Sequence, residues 1–433
     1  MPLPKQTAAP REQVSAAGPA HMLIAARLAR SIGQGALVVD FSLYLHRLQW
    51  TAVQISLILA VTLLVGATLT MLVGPLSDRI GRRQFLMWFE AAQALAALVG
   101  CCSASPWLLA PAAIVGGFGR GGNGSAGPFA PVEQAWLAQG VPADRRGRVY
   151  SLNAASGFAG MALGALLAAL PAHLGGWLPG ALAFRPLFGI ALLGSLVCLA
   201  LLARAPDSEA GAGRRTGAPA QRAAASSPAQ AAPPGTQAAD EAALRRRENG
   251  LLLRLGLVNA VNGMGVGLTG PLMSYWFAIR YDQGPGLIGP MMALGFLLAG
   301  LSSLLAGRLT ARLGIVRTVV LMRLVGLVLF VALPFAPTFG IAATLYTLRN
   351  LCNRGTAGAR NALSAGLVRP SRRGLAASVA NVSLQIPRSI GPVFAGMLFQ
   401  AGFLGLPFLI GAAFQAGFVY LYHRHFDNVE MHP

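Results

Sequence analysis

Apolar runs of about twenty residues recur along this chain, separated by short polar links, and that pattern restricts the fold more than any motif. Twenty residues of α-helix rise roughly 30 Å, the thickness of a hydrocarbon layer. Inside lipid an isolated segment can satisfy its own backbone N–H and C=O groups only as a helix. The runs therefore predict about twelve spanning helices, at 24–46, 53–74, 84–104, 107–137, 148–170, 186–204, 251–279, 287–307, 315–335, 338–366, 375–400 and 404–422. The fold class is an all-α polytopic membrane protein. Composition agrees, since only 11% of the 433 residues are charged against about 25% in a soluble domain.

A net charge of +20 would suit a nucleic-acid partner, but the arginines are placed for a bilayer instead. Alternate links hold Arg79, Arg82 and Arg83, then Arg145, Arg146 and Arg148, then Arg308, Arg312 and Arg317, then Arg369, Arg372 and Arg373. The opposite links hold only Arg47, Arg185 and Arg280. Basic loops stay in the cytoplasm, so the first set and both termini are expected there. No apolar signal-peptide core precedes the first span.

Residues 205–249 are rich in Ala, Pro, Gly and Ser and too polar to bury a core, so they read as a flexible linker. The expected organisation is a disordered tail at 1–22, a six-helix bundle at 23–204, that linker, a second six-helix bundle at 250–423 and a tail at 424–433. The two bundles carry traces of one repeat. "GPLSDRIGRR" (74–83) matches "GRLTARLGIV" (307–316) at Gly, Leu, Arg and Gly, and "DRRGRVYS" (144–151) matches "SRRGLAAS" (371–378). Both pairs occupy equivalent links. Repeats of this kind characterise transporters whose substrate site lies between two halves near mid-membrane.

The first of these stretches resembles the signature loop between helices 2 and 3 of the major facilitator superfamily, through Gly74, Leu76, Asp78, Arg79, Gly81, Arg82 and Arg83. The six-plus-six layout with its central linker extends the resemblance over the whole chain, and the bacterial proton-coupled efflux members are the most similar. What the resemblance implies is a secondary transporter of the bacterial inner membrane, working as a monomer by alternating access on a small-molecule substrate, with protons as co-substrate. It also implies a cytoplasmic latch in which Asp78 reaches the start of the eleventh helix. The residue types have their own logic: glycines allow a tight turn, and an acid is favoured at a helix N-terminus. The second copy has Ala311 where the first has Asp78, so one half alone carries the acid.

Ionisable residues within spans are costly and so mark candidate sites. Asp40 lies seven residues before Arg47, roughly 10 Å inside the outer mouth. Arg120 lies in the fourth span, and Arg120-x-x-x-Gly124 resembles the helix 4 motif of the family's proton-coupled antiporters. That resemblance makes Asp40 the proton carrier and Arg120 its partner or a substrate ligand; the alternative is a static buried ion pair. Glu90 and Glu133 are secondary candidates.

The tenth span carries Arg349, Arg354 and Arg360 among Asn350, Asn353 and Asn361, and the eleventh carries Arg388. On one continuous helix Arg349 and Arg360 share a face and Arg354 turns away from it. Arg360 is also placed to reach the cytoplasm. Arginines at membrane depth with few acids to match suit an anion, because the guanidinium fork binds carboxylate or phosphate in two places. Candidate substrate ligands are thus Arg120, Arg349, Arg354 and Arg388.

Small residues in "GFAGMALGALLA" (157–168) and "SIGPVFAG" (389–396) suit close helix packing. "GRGGNG" (119–124) and "GVGLTG" (265–270) satisfy a dinucleotide pattern, yet no βαβ unit can surround them in a membrane. They read as packing or flexing points. The four cysteines show no metal spacing, and no catalytic triad, HExxH pair or Walker loop occurs. Neither an enzyme nor an ATP-driven pump is expected, and no cofactor. Two substrate classes stay open, an organic or oxyanionic solute and a drug-like cation, as does direction of transport.

Overall fold

The structure is a computed structural model that describes residues 18–120, 127–141, 143–205, 234–369 and 372–427. Within the helical ends, the side chains of Asp78, Arg145, Arg146 and Arg148 lie outside the described set. The first half comprises α1 (Gly18–Arg47), α2 (Ala52–Ile80), α3 (Arg82–Cys102), α4 (Pro106–Gly116), α5 (Phe129–Gly140), α6 (Ala143–Leu167), α7 (Leu170–Leu174) and α8 (Arg185–Arg204). The second half comprises α9 (Pro234–Thr269), α10 (Met273–Tyr281), α11 (Pro285–Leu313), α12 (Ile315–Ala332), α13 (Phe339–Gly355), α14 (Ala357–Gly366), α15 (Arg373–Gln400) and α16 (Leu406–Phe426). Together they form the twelve spans expected, as two pseudo-symmetric bundles of six. The fourth, seventh and tenth spans are each built from two helical pieces.

Nine of the described helices are long and apolar enough to cross a membrane. Their outward faces expose leucines such as Leu57, Leu95, Leu193, Leu253 and Leu301, the reverse of a soluble surface, because lipid is their solvent. The spans outside this set are the fourth, tenth and eleventh. Those three carry Arg120, then Arg349, Arg354 and Arg360, then Arg388. Each of the three least membrane-like spans thus carries at least one of the candidate cations.

The internal repeat is visible in the backbone. Gly81 (φ +102°) joins α2 to α3 and Gly314 (φ +81°) joins α11 to α12, each within a single residue. Such a direct reversal at positive φ is open to glycine and strained for other residues. One expected boundary shifts. The linker read as 205–249 ends earlier, because α9 begins at Pro234 and runs unbroken into the seventh span. Glu248 on that extension accepts from Arg369 Nε at 3.1 Å and Arg372 Nη1 at 2.7 Å, tying α9 to the link before α15.

Inter-half packing runs along α2 against α15 and α6 against α11. It is tight at the end away from the arginine-rich links. There a Cβ on Gly289 of α11 would lie 2.6 Å from Ala165 O and 3.2 Å from Ala169 N. A Cβ on Gly396 of α15 would overlap Ser56 and sit 2.8 Å from Ala52 O. Val53 N donates to Gln400 Oε1 at 3.3 Å, and the His46 and Tyr275 rings meet edge to face at 5.3 Å. At the arginine-rich end a Cβ on Gly74, Gly307 or Gly314 would meet nothing within 4 Å. The close inter-half contacts thus lie at one end, the closed end, and the space between the halves extends to Gly307, Thr310 and Ile315 at the other, the parted end.

Candidate functional site

Between the halves lies a cavity of about 510 Å³, within the size range of small-molecule sites. It runs from Val266, Gly270 and Ser274 at the break in the seventh span to Gly307, Thr310 and Ile315 at the arginine-rich end. Its charged lining is Arg323, Arg349, Arg354, Arg360 and Arg388, with Asn262, Asn350 and Asn353 beside them. No carboxylate lines it among the described residues. The sequence explains why: between Asn249 and Phe426 the chain has one acid, Asp282.

The tenth span is interrupted between its second and third arginines. The helix stops at Gly355, Thr356 donates through Oγ1 to Asn353 O at 2.8 Å, and α14 restarts at Ala357. Arg349 and Arg354 lie five residues apart on the unbroken α13, and Arg354, expected to turn away from Arg349 and Arg360, still reaches the cavity they line. All three line the same cavity. Arg360, expected to reach the cytoplasm, lines it as well.

Four of these five arginines have a defined neighbour. The Arg349 guanidinium lies 3.8 Å from the centre of the Phe330 ring, and that of Arg354 lies 5.1 Å from the Phe296 ring. Such faces attract a cation but do not neutralise it. Arg388 Nη1 donates to Gln385 Oε1 at 3.4 Å. Arg323 is the most fully engaged: Nη1 donates to Asn262 Oδ1 at 3.3 Å and Gln415 Oε1 at 3.1 Å, over the Phe418 ring. These partners orient the guanidinium groups toward the cavity they line.

The first half treats charge differently. Arg30 Nε pairs with Glu90 Oε2 at 2.9 Å and Nη2 donates to Gln93 Oε1 at 3.3 Å. Arg27 Nη1 pairs with Glu133 Oε2 at 3.2 Å. Glu90 and Glu133 are thus the acids of two buried ion pairs joining α1 to α3 and α5. The expected Asp40–Arg120 pair does not form. Asp40 is 1% exposed, and neither carboxyl oxygen has a hydrogen-bond partner; it lines neither the central cavity nor a smaller one beside it. Arg120 sits in the turn after α4, its side chain lying across Gly66, Gly117 and Gly127. It lines that smaller cavity with Arg30, Gln34, Gln93 and Ser195. Gly124 of its motif lies outside the described residues.

In the signature loop, Arg82 Nη1 donates to Ala135 O at 2.9 Å, and Arg83 donates to Leu202 O at 3.2 Å and to Ala203 O. The Leu202 and Ala203 carbonyls lie in the last turn of α8, where a cation meets the negative pole of a helix, and that of Ala135 lies within α5. Arg79 and Gly74 are exposed. The Asp78 side chain, the expected latch, lies outside the described set. Small-residue packing occurs where the sequence placed it: a Cβ on Gly391 would overlap the backbone of Gly267, and one on Gly164 would overlap that of Ile32.

Sequence reasoning missed Arg27, Arg30 and Arg323. Each is a lone arginine in an apolar span, the signal used for Arg349 and Arg388, and the same rule applied to every span finds them.

Comparison with known proteins agrees with this geometry. The profile of the Major Facilitator Superfamily matches residues 23–248 and 255–428, and the chain belongs to that superfamily. It is a multi-pass membrane transporter of the twelve-helix fold. An uncharacterized membrane protein of Saccharomyces cerevisiae, YJR124C, is 23% identical over 410 residues, covering 90% of each chain. Among solved structures, a bacterial homolog of the human lysosomal transporter Spinster, inward-facing and unoccupied, superposes with a TM-score of 0.70 at 15% identity, covering 96% of this chain and 98% of that one. The D-xylose-proton symporter gives 0.70 at 16%, covering 95% and 98%. The nucleoside transporter NupG gives 0.69 at 12%, covering 95% and 100%. At these identities the likeness is one of fold.

Proposed function

We propose that this chain is a secondary transporter for an organic or oxyanionic solute, bound between the halves by the arginines of the second. The observation that carries the reading is the cavity wall: Arg323, Arg349, Arg354, Arg360 and Arg388 face one space, and no carboxylate lines it among the described residues. Like charges gathered at low dielectric repel strongly, and an anionic solute supplies the missing countercharge. A drug-like cation would meet that repulsion instead, which sets the multidrug alternative second. Taking the arginine-rich links as cytoplasmic, the parted end opens inward, as in the inward-facing Spinster homolog. Both termini then lie in the cytoplasm of a bacterial inner membrane, and one chain holds the complete cavity, which suits a monomer.

Alternating access would close the inner end and part the outer one. Asp78, with Gly74, Arg79 and Gly81, would then clasp the start of α15, while Arg82 and Arg83 keep the first half rigid. Proton coupling is assigned to Asp40. A buried carboxylate without a partner is costly, so its charged form needs a cation brought to it, and Arg120 on its glycine-lined turn is the candidate. The anion reading is tested by counterflow of a panel of labelled organic anions in proteoliposomes. Arg349→Gln and Arg388→Gln should each abolish it, and unchanged uptake in both overturns the reading. Asp40→Asn should retain counterflow but lose proton-driven accumulation; accumulation at the normal level removes Asp40 as the carrier.

A further inference from the structure

The cavity wall is chemically one-sided. Among the described residues every charged lining residue comes from the second half, whereas the first half contributes Val38, Leu63, Gly119 and Phe158, with no hydrogen-bonding side chain among them. A substrate solvated all round by hydroxyls, such as a sugar phosphate, would leave its polar face unpaired against Leu63 and Phe158, and unpaired polar groups are penalised on burial. A bare inorganic anion would leave that apolar wall unused. The wall thus matches a molecule that is itself two-sided.

Resting on the anion reading above, we infer that the substrate is an amphiphilic organic anion. Its compact dianionic head, of the phosphate-monoester type, is held by the second-half arginines, and its aromatic or hydrocarbon body lies on Leu63 and Phe158. The head needs more than one guanidinium fork, because a phosphate monoester carries close to two charges at neutral pH and three acceptor oxygens. The arginines that line the second-half wall, Arg323, Arg349, Arg354, Arg360 and Arg388, provide them. The body needs no specific hydrogen bonds, only apolar area removed from water. Rocking of the halves would then keep the head on one bundle while the other slides past the body, so that the site opens without breaking charged contacts to both halves at once.

Equilibrium binding to the full chain in lipid nanodiscs tests this, with phenyl phosphate, inorganic phosphate, glucose 6-phosphate and phenol as probes. Phenyl phosphate should bind at least about tenfold tighter than inorganic phosphate and glucose 6-phosphate, with phenol weaker still. Leu63→Asn and Phe158→Asn should each erode that preference while leaving inorganic phosphate affinity within about twofold, which also shows that the variants are folded. Equal or tighter binding of glucose 6-phosphate or inorganic phosphate overturns the amphiphile and leaves the anion reading standing. A preference that survives both substitutions overturns the role of the first-half wall. Failure of all three anions to bind overturns both readings together.

Discussion

Gly289 offers a direct handle on the conformational equilibrium. It lies near the start of α11, at the closed end, where a Cβ would come 2.6 Å from Ala165 O on α6 and 3.2 Å from Ala169 N and 3.4 Å from Ala168 C in the turn that follows it. All three are backbone atoms, so no side chain can turn aside and the helices themselves must separate. Overpacking of this kind costs about 1–3 kcal/mol. The cost falls on this conformation alone, because parting that end removes the contact. The gain in helix propensity from Gly to Ala applies to both conformations and cancels. Gly289→Ala should therefore raise the population open at the Gly289 end by about 5- to 150-fold.

The assay is the labelling rate of a single cysteine at Asn353, a cavity-lining position, with Cys101, Cys102, Cys198 and Cys352 replaced. An impermeant thiol reagent is applied from the side facing the closed end. The rate is proportional to the fraction open to that side and should rise by the same factor. Gly189→Ala is the control, since a Cβ there meets nothing within 4 Å. An unchanged rate in Gly289→Ala, or an equal rise in Gly189→Ala, would refute the inference that the Gly289 contact holds the outer end shut.

Other perturbations probe the remaining structure. Glu90→Gln should destabilise the detergent-solubilised protein by about 3–5 kcal/mol, because it strands the Arg30 guanidinium in a buried site; a melting temperature equal to wild type would show the pair to be dispensable. Gly81→Ala and Gly314→Ala should each cost about 1–3 kcal/mol through backbone strain at positive φ, by similar amounts if the two reversals are true repeats, which denaturation of each variant would measure. Glu248→Gln weakens charge-assisted bonds to Arg369 and Arg372 and should cost about 1–3 kcal/mol. Faster proteolysis of the link before α15 is the expected sign, and unaltered cleavage would count against the tie.

Much of this architecture was legible because lipid imposes a simple code. Run length gave the spans, and the paired glycines at 81 and 314 gave the repeat, since a one-residue reversal has few chemical solutions. Arg349, Arg354 and Arg388 were legible because charge is rare at membrane depth. Azimuth was not. Whether Asp40 meets Arg120 depends on how two helices are rotated against each other, which spacing along either one cannot supply. The break at Thr356 was likewise hidden, because a helix that stops and restarts leaves no gap in the apolar pattern. The extension of α9 back to Pro234 was masked by a composition that reads as linker.

Distances between spin labels at the two ends of the molecule test the rocking of the halves most directly. One pair, at Arg79 and Arg312, spans the parted end, and the other, at Arg47 and Phe403, spans the closed end; all four positions are exposed. In nanodiscs the first separation should shorten as the second lengthens when Gly289→Ala is introduced. Two distributions that stay fixed, or that lengthen together, would contradict two rigid bundles rocking about a cation-lined cavity.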